Sequence, residues 1–143
     1  MRPAINRKVG GNNYLTRVVL DTNVLVSALW TPVGNCSTIV SLILADRIVP
    51  CLNHQIIDEY RVVLSRPRLA FPRGQTEEFL KEIADRGLMV TITSPSTFSM
   101  TDEADRKFYD TARACKAFLV TGNVRHYPKD PLVITPAQFL SRF

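Results

Sequence analysis

The segment Arg17-Val18-Val19-Leu20-Asp21 decides the fold class of this 143-residue chain. It is a short, nearly all-apolar run, which is typical of a strand covered by helices on both faces. Four more short apolar runs follow, at residues 48–52, 88–92, 118–121 and 132–134. Segments with apolar residues at helical spacing separate most of these runs. The alternation predicts an α/β fold with three layers (α/β/α) around a parallel four- to five-stranded sheet.

Cap and breaker residues set the expected helix boundaries. We expect Asn53 to cap the helix after the second strand, and Thr76 to cap a helix that Gly87 ends. Residues 102–116 form the next predicted helix, and Thr135 followed by Pro136 is typical of the start of a short terminal helix. In such folds ligands bind beyond the carboxyl ends of the strands, so the residues after each strand are candidate site residues.

Length and composition indicate one compact domain. With 45% hydrophobic residues, the chain can fill one core but not two. We expect residues 1–16 to form a flexible basic arm and residues 17–143 to form the folded domain. No apolar run approaches the roughly 20 residues that span a bilayer, and the N-terminus lacks the apolar segment of a secretion signal. A soluble, cytoplasmic protein with no membrane association is therefore predicted.

Cysteine spacing and charge add weaker constraints. The three cysteines are widely spaced and match neither a zinc site nor a thioredoxin-like pair, so free thiols are expected. The net charge is +5, with Arg2, Arg7 and Lys8 of the arm contributing much of the excess. Such a charge permits attraction to nucleic acid, but a solvated basic face is an equal explanation.

Three carboxylates are the strongest candidates for chemistry. Asp21 ends the most apolar strand, where an unpartnered carboxylate is expensive to desolvate, although a cap or turn role is the simpler alternative. Glu59 lies at the margin of the core-facing stripe of its helix, or else reaches out to water. Asp105 leans toward a buried face, but a carboxylate at a helix N-terminus is stabilised there in any case. Asp102 could share either role, and Asp110 is expected to be solvated.

Inward-leaning acids on separate elements are less easily explained as independent caps. Ligands that are all oxygen, without a His/Cys cluster, suit Mg²⁺ or Mn²⁺, which a few carboxylates hold together with water and phosphate. Such an ion activates water and neutralises phosphate charge, so phosphodiester hydrolysis is the natural reaction class.

Five motifs, in order, carry a family resemblance over about residues 17 to 140. They are VVLDTNVLVSAL, IIDEYRVVLSRPRL, DEADRKFYDTA, FLVTGNVRHYP and ITPAQFL. Together they resemble a bacterial and archaeal branch of the PIN-domain family, whose members are metal-dependent nucleases and are often the VapC-like toxins of toxin-antitoxin modules. The resemblance implies a metal-dependent endoribonuclease with RNA as substrate, a cognate antitoxin as partner and a homodimeric state.

The same resemblance assigns roles to individual residues. It implies that Asp21, Glu59 and Asp105 are catalytic metal ligands and that Asn23 helps to order the site. Asn123 stands where many PIN domains have a fourth acid, and a neutral amide there puts the metal affinity and the number of ions in doubt. His126, three residues later, is a supporting candidate or a surface histidine stacked on Tyr127.

Other positions and functions stay open at this point. Arg66, Arg68 and Arg73 could follow a nucleic-acid backbone or belong to a solvated loop. An aspartyl phosphatase also places Asp after its first strand, but its second Asp is Asn23 here and the chain has no room for a cap domain. A catalytically degenerate PIN fold that binds RNA or protein is the non-enzymatic alternative, suggested by Asn123.

Overall fold

The computed structural model describes residues 15–142, so most of the predicted arm lies outside the described residues. The strands are β1 (Arg17–Leu20), β2 (Val49–Leu52), β3 (Leu88–Met89), β4 (Phe118–Val120) and β5 (Val133–Ile134). The helices are α1 (Thr22–Trp30), α2 (Asn35–Leu44), α3 (His54–Leu64), α4 (Arg73–Arg86), α5 (Arg106–Cys115) and α6 (Pro136–Leu140). Short 3₁₀ turns occur at Pro67–Leu69, Glu103–Asp105 and Val124–His126.

The five strands form one parallel sheet in the order β3-β2-β1-β4-β5, which confirms the predicted fold class. In the centre, Val18 of β1 lies opposite Pro50 of β2 on one side and Phe118 of β4 on the other. The chain moves outward from β1 through β2 and β3, then returns to the other side of β1 as β4. This reversal places a crevice at the carboxyl ends of β1 and β4, where α/β proteins commonly bind ligands.

Burial of the central strands shows that both faces of the sheet are covered. Successive strand residues point to opposite faces, yet Val18 and Val19 are both fully buried and every residue of β2 is buried. Helices therefore pack on both sides, as the apolar run of β1 predicts. No single helix within residues 15–142 is long and apolar enough to cross a membrane, although α1 and α2, bent by 95° at their junction, pass that test as a pair.

The cap predictions for Asn53 and Thr135 are confirmed. The side chain of Asn53 accepts a hydrogen bond from the Ile56 amide at 2.9 Å and donates to Thr111 Oγ1 at 3.1 Å. Thr135 and Gln138 form a reciprocal capping box at the start of α6. The three cysteines are free, as expected.

Several local predictions were wrong. Thr76 does not cap α4, because the helix already starts after Pro72 and Thr76 is buried inside it, donating to the Arg73 carbonyl at 2.9 Å. The predicted helix over 102–116 is a 3₁₀ turn followed by α5, and β3 ends at Met89. Asp110 is not solvated: it is buried and accepts a hydrogen bond from the Ser96 amide at 2.9 Å, because the loop before α5 packs over that face.

Gly87 ends α4 for a reason of space. Its backbone is extended (φ −98°), so it does not need the left-handed conformation that often selects glycine after a helix. A Cβ at this position would lie 2.9 Å from both Leu52 Cδ1 and the Pro50 carbonyl oxygen. The backbone oxygen belongs to β2 and cannot move aside easily, so only glycine fits between α4 and the sheet.

We predict that Gly87→Ala lowers the free energy of unfolding by about 1–3 kcal/mol, the usual cost of overpacking. Chemical denaturation followed by circular dichroism measures the change. Gly74→Ala is the matched control, since a Cβ there meets nothing within 4 Å and alanine favours the helix. A Gly87→Ala protein as stable as the Gly74→Ala protein contradicts the close-approach argument.

Candidate active site

Asp21 directly follows β1, at the carboxyl ends of β1 and β4 where the strand order reverses. Its amide donates to the Val120 carbonyl at 3.0 Å, which ties the end of β1 to the end of β4. Its carboxylate is 6% exposed and accepts hydrogen bonds at Oδ2 from Thr121 Oγ1 at 2.7 Å and from the Tyr127 hydroxyl at 3.3 Å. Asp21 is at the N-cap position of α1, but its side chain makes no cap hydrogen bond. The simple cap explanation therefore does not account for the carboxylate.

Glu59 enters the same region from α3. Thr22 Oγ1, in the first turn of α1, donates to Glu59 Oε2. The Lys107 ammonium, in the first turn of α5, lies 2.7 Å from Glu59 Oε1, and the two side chains are 15% and 28% exposed. Both carboxylate oxygens of Glu59 are therefore engaged by groups from other helices. The alternative in which Glu59 reaches out to water is not what the structure shows.

Asp105 is the residue that links the 3₁₀ turn Glu103–Asp105 to α5. It occupies the N-cap position of α5 without a side-chain cap hydrogen bond, and its side chain is 17% exposed. Burial, the charges of Asp21 and Asp102, and a smaller contribution from Glu59 raise the pKa of Asp105 to about 6, while His126 opposes the rise. The carboxylates of three separate elements thus act on one another electrostatically.

Two buried tyrosines frame these acids. The Tyr60 hydroxyl donates to the Leu20 carbonyl at 2.5 Å, one residue before Asp21. Burial and the charges of Asp21 and Glu59 raise the pKa of Tyr60, and burial, Asp21 and Asp105 raise that of Tyr127. Both phenols therefore stay protonated at neutral pH and act as hydrogen-bond donors beside the carboxylates.

The supporting residues predicted from the sequence lie in different places. Asp102 Oδ1 caps the 3₁₀ turn by accepting from the Ala104 amide at 3.0 Å. His126 Nδ1 lies 3.8 Å from Asp105 Oδ2. Asn123 is exposed, and its backbone amide donates to Thr121 Oγ1 at 2.9 Å. Asn23 is exposed on α1, and no hydrogen bond of its side chain is found within residues 15–142. The structure thus brings Asp102 and His126 to Asp105.

The three candidate arginines do not join the acids. Arg66 precedes the 3₁₀ turn Pro67–Leu69, which follows α3, and Arg68 lies within that turn. Arg73 is the first residue of α4. All three are exposed. They line a surface next to α3, and their proposed contact with nucleic acid stays a prediction.

The site contains four further residues that the sequence analysis did not assign to it: Thr121, Tyr127, Tyr60 and Lys107. Thr121 directly follows β4, so the same strand-end rule that selected Asp21 could have found it. Tyr127 and Tyr60 carry no local signal, since an aromatic residue on an apolar stripe is typical of a core. Lys107 reads as a solvated charge until α5 is packed against α3.

The three acids fit an oxygen-preferring divalent cation in their chemistry, but the positions of their side chains do not bring them to one point. Asp21, Glu59 and Asp105 supply only carboxylate oxygens, and Asp21 Oδ1 receives no hydrogen bond from the described residues. Burial, together with the charges of Asp21, Asp102 and Glu59, raises the pKa of Asp105, so the ionised form of this carboxyl is disfavoured in the metal-free site. As placed in residues 15–142, no three Asp, Glu, His or Cys side chains converge closely enough to hold one ion together. Glu59 is the member held away, by Lys107 and Thr22.

Known proteins match this chain in sequence and in fold. A family model described as PIN domain matches residues 17–125. The uncharacterized protein MJ1680 of Methanocaldococcus jannaschii is 34% identical over 109 residues, which cover 75% of this chain and 70% of the relative.

Among solved structures, VapBC2 from Rickettsia felis bound to a DNA fragment from its promoter matches with a TM-score of 0.57 and 18% identity, covering 84% of this chain and 97% of that one. That match supports the fold. The sequence match over residues 17–125 spans every site residue from Asp21 to Asn123, and the chain belongs to the PIN-domain family.

Proposed function

We propose that this protein is a Mg²⁺- or Mn²⁺-dependent endoribonuclease. PIN domains are generally nucleases, and the family assignment supports hydrolysis of nucleic acid. The observation that carries the proposal is that Asp21, Glu59 and Asp105, from three elements, lie close enough at the strand reversal to interact electrostatically, and that burial together with these charges raises the pKa of Asp105 to about 6. Perturbed carboxylates in a crevice are typical of functional sites.

The chain's own residues have distinct tasks in this proposal. Asp21 and Asp105 present oxygens to the cation, with Glu59 as the third ligand. Thr121 and Tyr127 hold Asp21 in one orientation through Oδ2, which leaves Oδ1 for the cation. When bound, Mg²⁺ or Mn²⁺ would supply activation of water and neutralisation of phosphate charge. His126, which lies 3.8 Å from Asp105 and is about half exposed, would contact a phosphate of the RNA in this proposal.

Partners enter the proposal by resemblance. The similarity in fold to VapBC2, a complex bound to a promoter DNA fragment, supports a role as the toxin of a toxin-antitoxin module with a protein antitoxin. A homodimer and RNA contacts by Arg66, Arg68 and Arg73 belong to the same proposal. The degenerate PIN module stays the competing function, because Asn123 brings no charge to the site and three donors do not yet converge.

The first prediction tests the reaction and its cation. The purified full chain is incubated with mixed RNA and with single-stranded DNA, with Mn²⁺, with Mg²⁺ or with excess EDTA. We expect RNA cleavage with either metal and none with EDTA, because oxygen ligands bind these ions reversibly. RNA binding without cleavage under every condition supports the degenerate module, and full cleavage in EDTA contradicts the metal dependence.

The second prediction concerns Asp105→Asn. We expect RNA cleavage to fall by orders of magnitude, because a charged ligand is lost. The metal-free protein should melt at the same or a higher temperature, because one of several repelling carboxylates is neutralised. The gain in melting temperature on adding Mn²⁺ should be smaller than in wild type. Asp58→Asn is the control, since Asp58 is exposed on α3 and, among residues 15–142, its carboxylate pairs with Arg61 at 3.5 Å.

A purely structural Asp105 gives a different pattern. Asparagine can occupy an N-cap position as well as aspartate, so a helix-terminus role leaves cleavage and the metal-dependent melting shift unchanged. That result removes Asp105 from the site and leaves the family membership as the support for a nuclease.

The third prediction is a pH dependence of the metal-free fold. The pKa of Asp105 rises from its ordinary value of 3.8 to about 6, so the folded state binds more protons than the unfolded state between these values. Its contribution to stability is therefore favourable at low pH and declines as the pH rises through that interval. Thermal melts in EDTA across this range should show a decline for wild type and Asp58→Asn that is smaller for Asp105→Asn. Equal pH profiles for all three proteins contradict the prediction.

A further inference from the structure

Lys107 is a cation already inside the site. Its ammonium lies 2.7 Å from Glu59 Oε1 and also donates to the Ala104 carbonyl in the turn that carries Asp105. The Lys107 side chain is only 15% exposed, whereas lysine side chains are mostly exposed to solvent. The ammonium thus bridges α3 and the start of α5, the two elements that supply Glu59 and Asp105.

The contacts of Glu59 show what this lysine does to the ligand set. Oε1 is engaged by Lys107 and Oε2 by Thr22, so neither oxygen is turned toward Asp21 and Asp105 without a competing donor. A hydroxyl can reorient at little cost, but the partly buried Lys107–Glu59 ion pair must be broken before the carboxylate can ligate another cation. A divalent ion ligated by Glu59 would also repel the ammonium that lies 2.7 Å from the same carboxylate.

We propose that Lys107 is a resident counter-ion that competes with the divalent cation for Glu59. The inference rests on the proposed function for the identity of the site, and it goes beyond it by naming the residue that sets metal affinity. In the metal-free protein, Lys107 compensates the charge of Glu59 and, with Thr22, engages both of its oxygens. A divalent ion ligated by Glu59 would have to displace Lys107, so the ion pair makes wild-type affinity weaker than the three carboxylates alone would provide.

The test measures Mn²⁺ binding by isothermal titration calorimetry on the full chain. Lys107→Gln removes the charge, Lys107→Arg keeps it, and Lys81→Gln removes an exposed charge on α4 as the matched control. We expect Lys107→Gln to bind Mn²⁺ on the order of ten-fold tighter than wild type, the scale on which groups around metal ligands act. Lys107→Arg and Lys81→Gln should bind with wild-type affinity. Unchanged or weaker binding by Lys107→Gln overturns the inference.

A metal-free measurement provides the second arm. In EDTA, Lys107→Gln should melt at a lower temperature than wild type, because Glu59 loses its counter-ion. When Glu59 is already replaced in a Glu59→Gln protein, Lys107→Gln should lower the melting temperature much less, because no carboxylate is left unpaired. Equal losses of melting temperature in the two backgrounds contradict the ion-pair role, whatever the metal affinity.

The outcomes separate this inference from the proposed function. A wild-type chain that binds Mn²⁺ but cleaves no RNA contradicts the nuclease proposal, while tighter binding by Lys107→Gln still supports the role of Lys107. Binding by Lys107→Gln where wild type shows none supports the competition in its strongest form. Absence of Mn²⁺ binding by both proteins overturns it.

Discussion

The buried carboxylate of Asp21, held at the point where the strand order reverses, is the constraint on which the site depends. Burying a charge costs several kcal/mol unless hydrogen bonds or opposite charges compensate it. Here the compensation comes from Thr121 after β4 and from Tyr127 after the following turn. The amide of Asp21 is also bonded to Val120. These hydrogen bonds therefore hold the carboxyl ends of β1 and β4 together beside one buried negative charge.

The negative charge of Asp21 also affects the ionisable groups around it. Burial and the charge of Asp21 raise the pKa of Asp105 and of the two nearby tyrosines, Tyr60 and Tyr127, so the protonated forms of these groups are favoured. Electrostatic stress of this kind is unfavourable for folding and is usually tolerated where function requires it. Lys107 relieves part of it at Glu59, and the neutral Asn123 avoids adding to it. The site thus contains the acids and also a cation, Lys107, that neutralises part of their charge.

Much of the fold and of the acid set could be predicted from local patterns. The apolar run of β1, the alternation of strands and helices, and the strand-end rule together led to the parallel sheet and to Asp21. Helical periodicity led to Glu59 and Asp105, and both side chains are partly buried, although Asp105 lies in a 3₁₀ turn before α5 rather than inside the predicted helix. The same reasoning failed for Asp110, because α5 is buried from Phe108 through Ala112 and therefore on more than one face. It failed for Thr76, because Pro72 caps α4 four residues earlier, about one helical turn.

What the sequence alone determined is the class of fold, the position of Asp21 after the first strand and that of Glu59 on its helix, because these follow from short-range periodicity and from where strands end. Only the tertiary structure decided the partners of those acids. Thr121 and Tyr127 meet Asp21 across about a hundred residues of chain, and Lys107 meets Glu59 only because α5 packs beside α3. Such contacts depend on crossover topology and on side-chain direction at atomic scale, and neither leaves a periodic trace in the sequence.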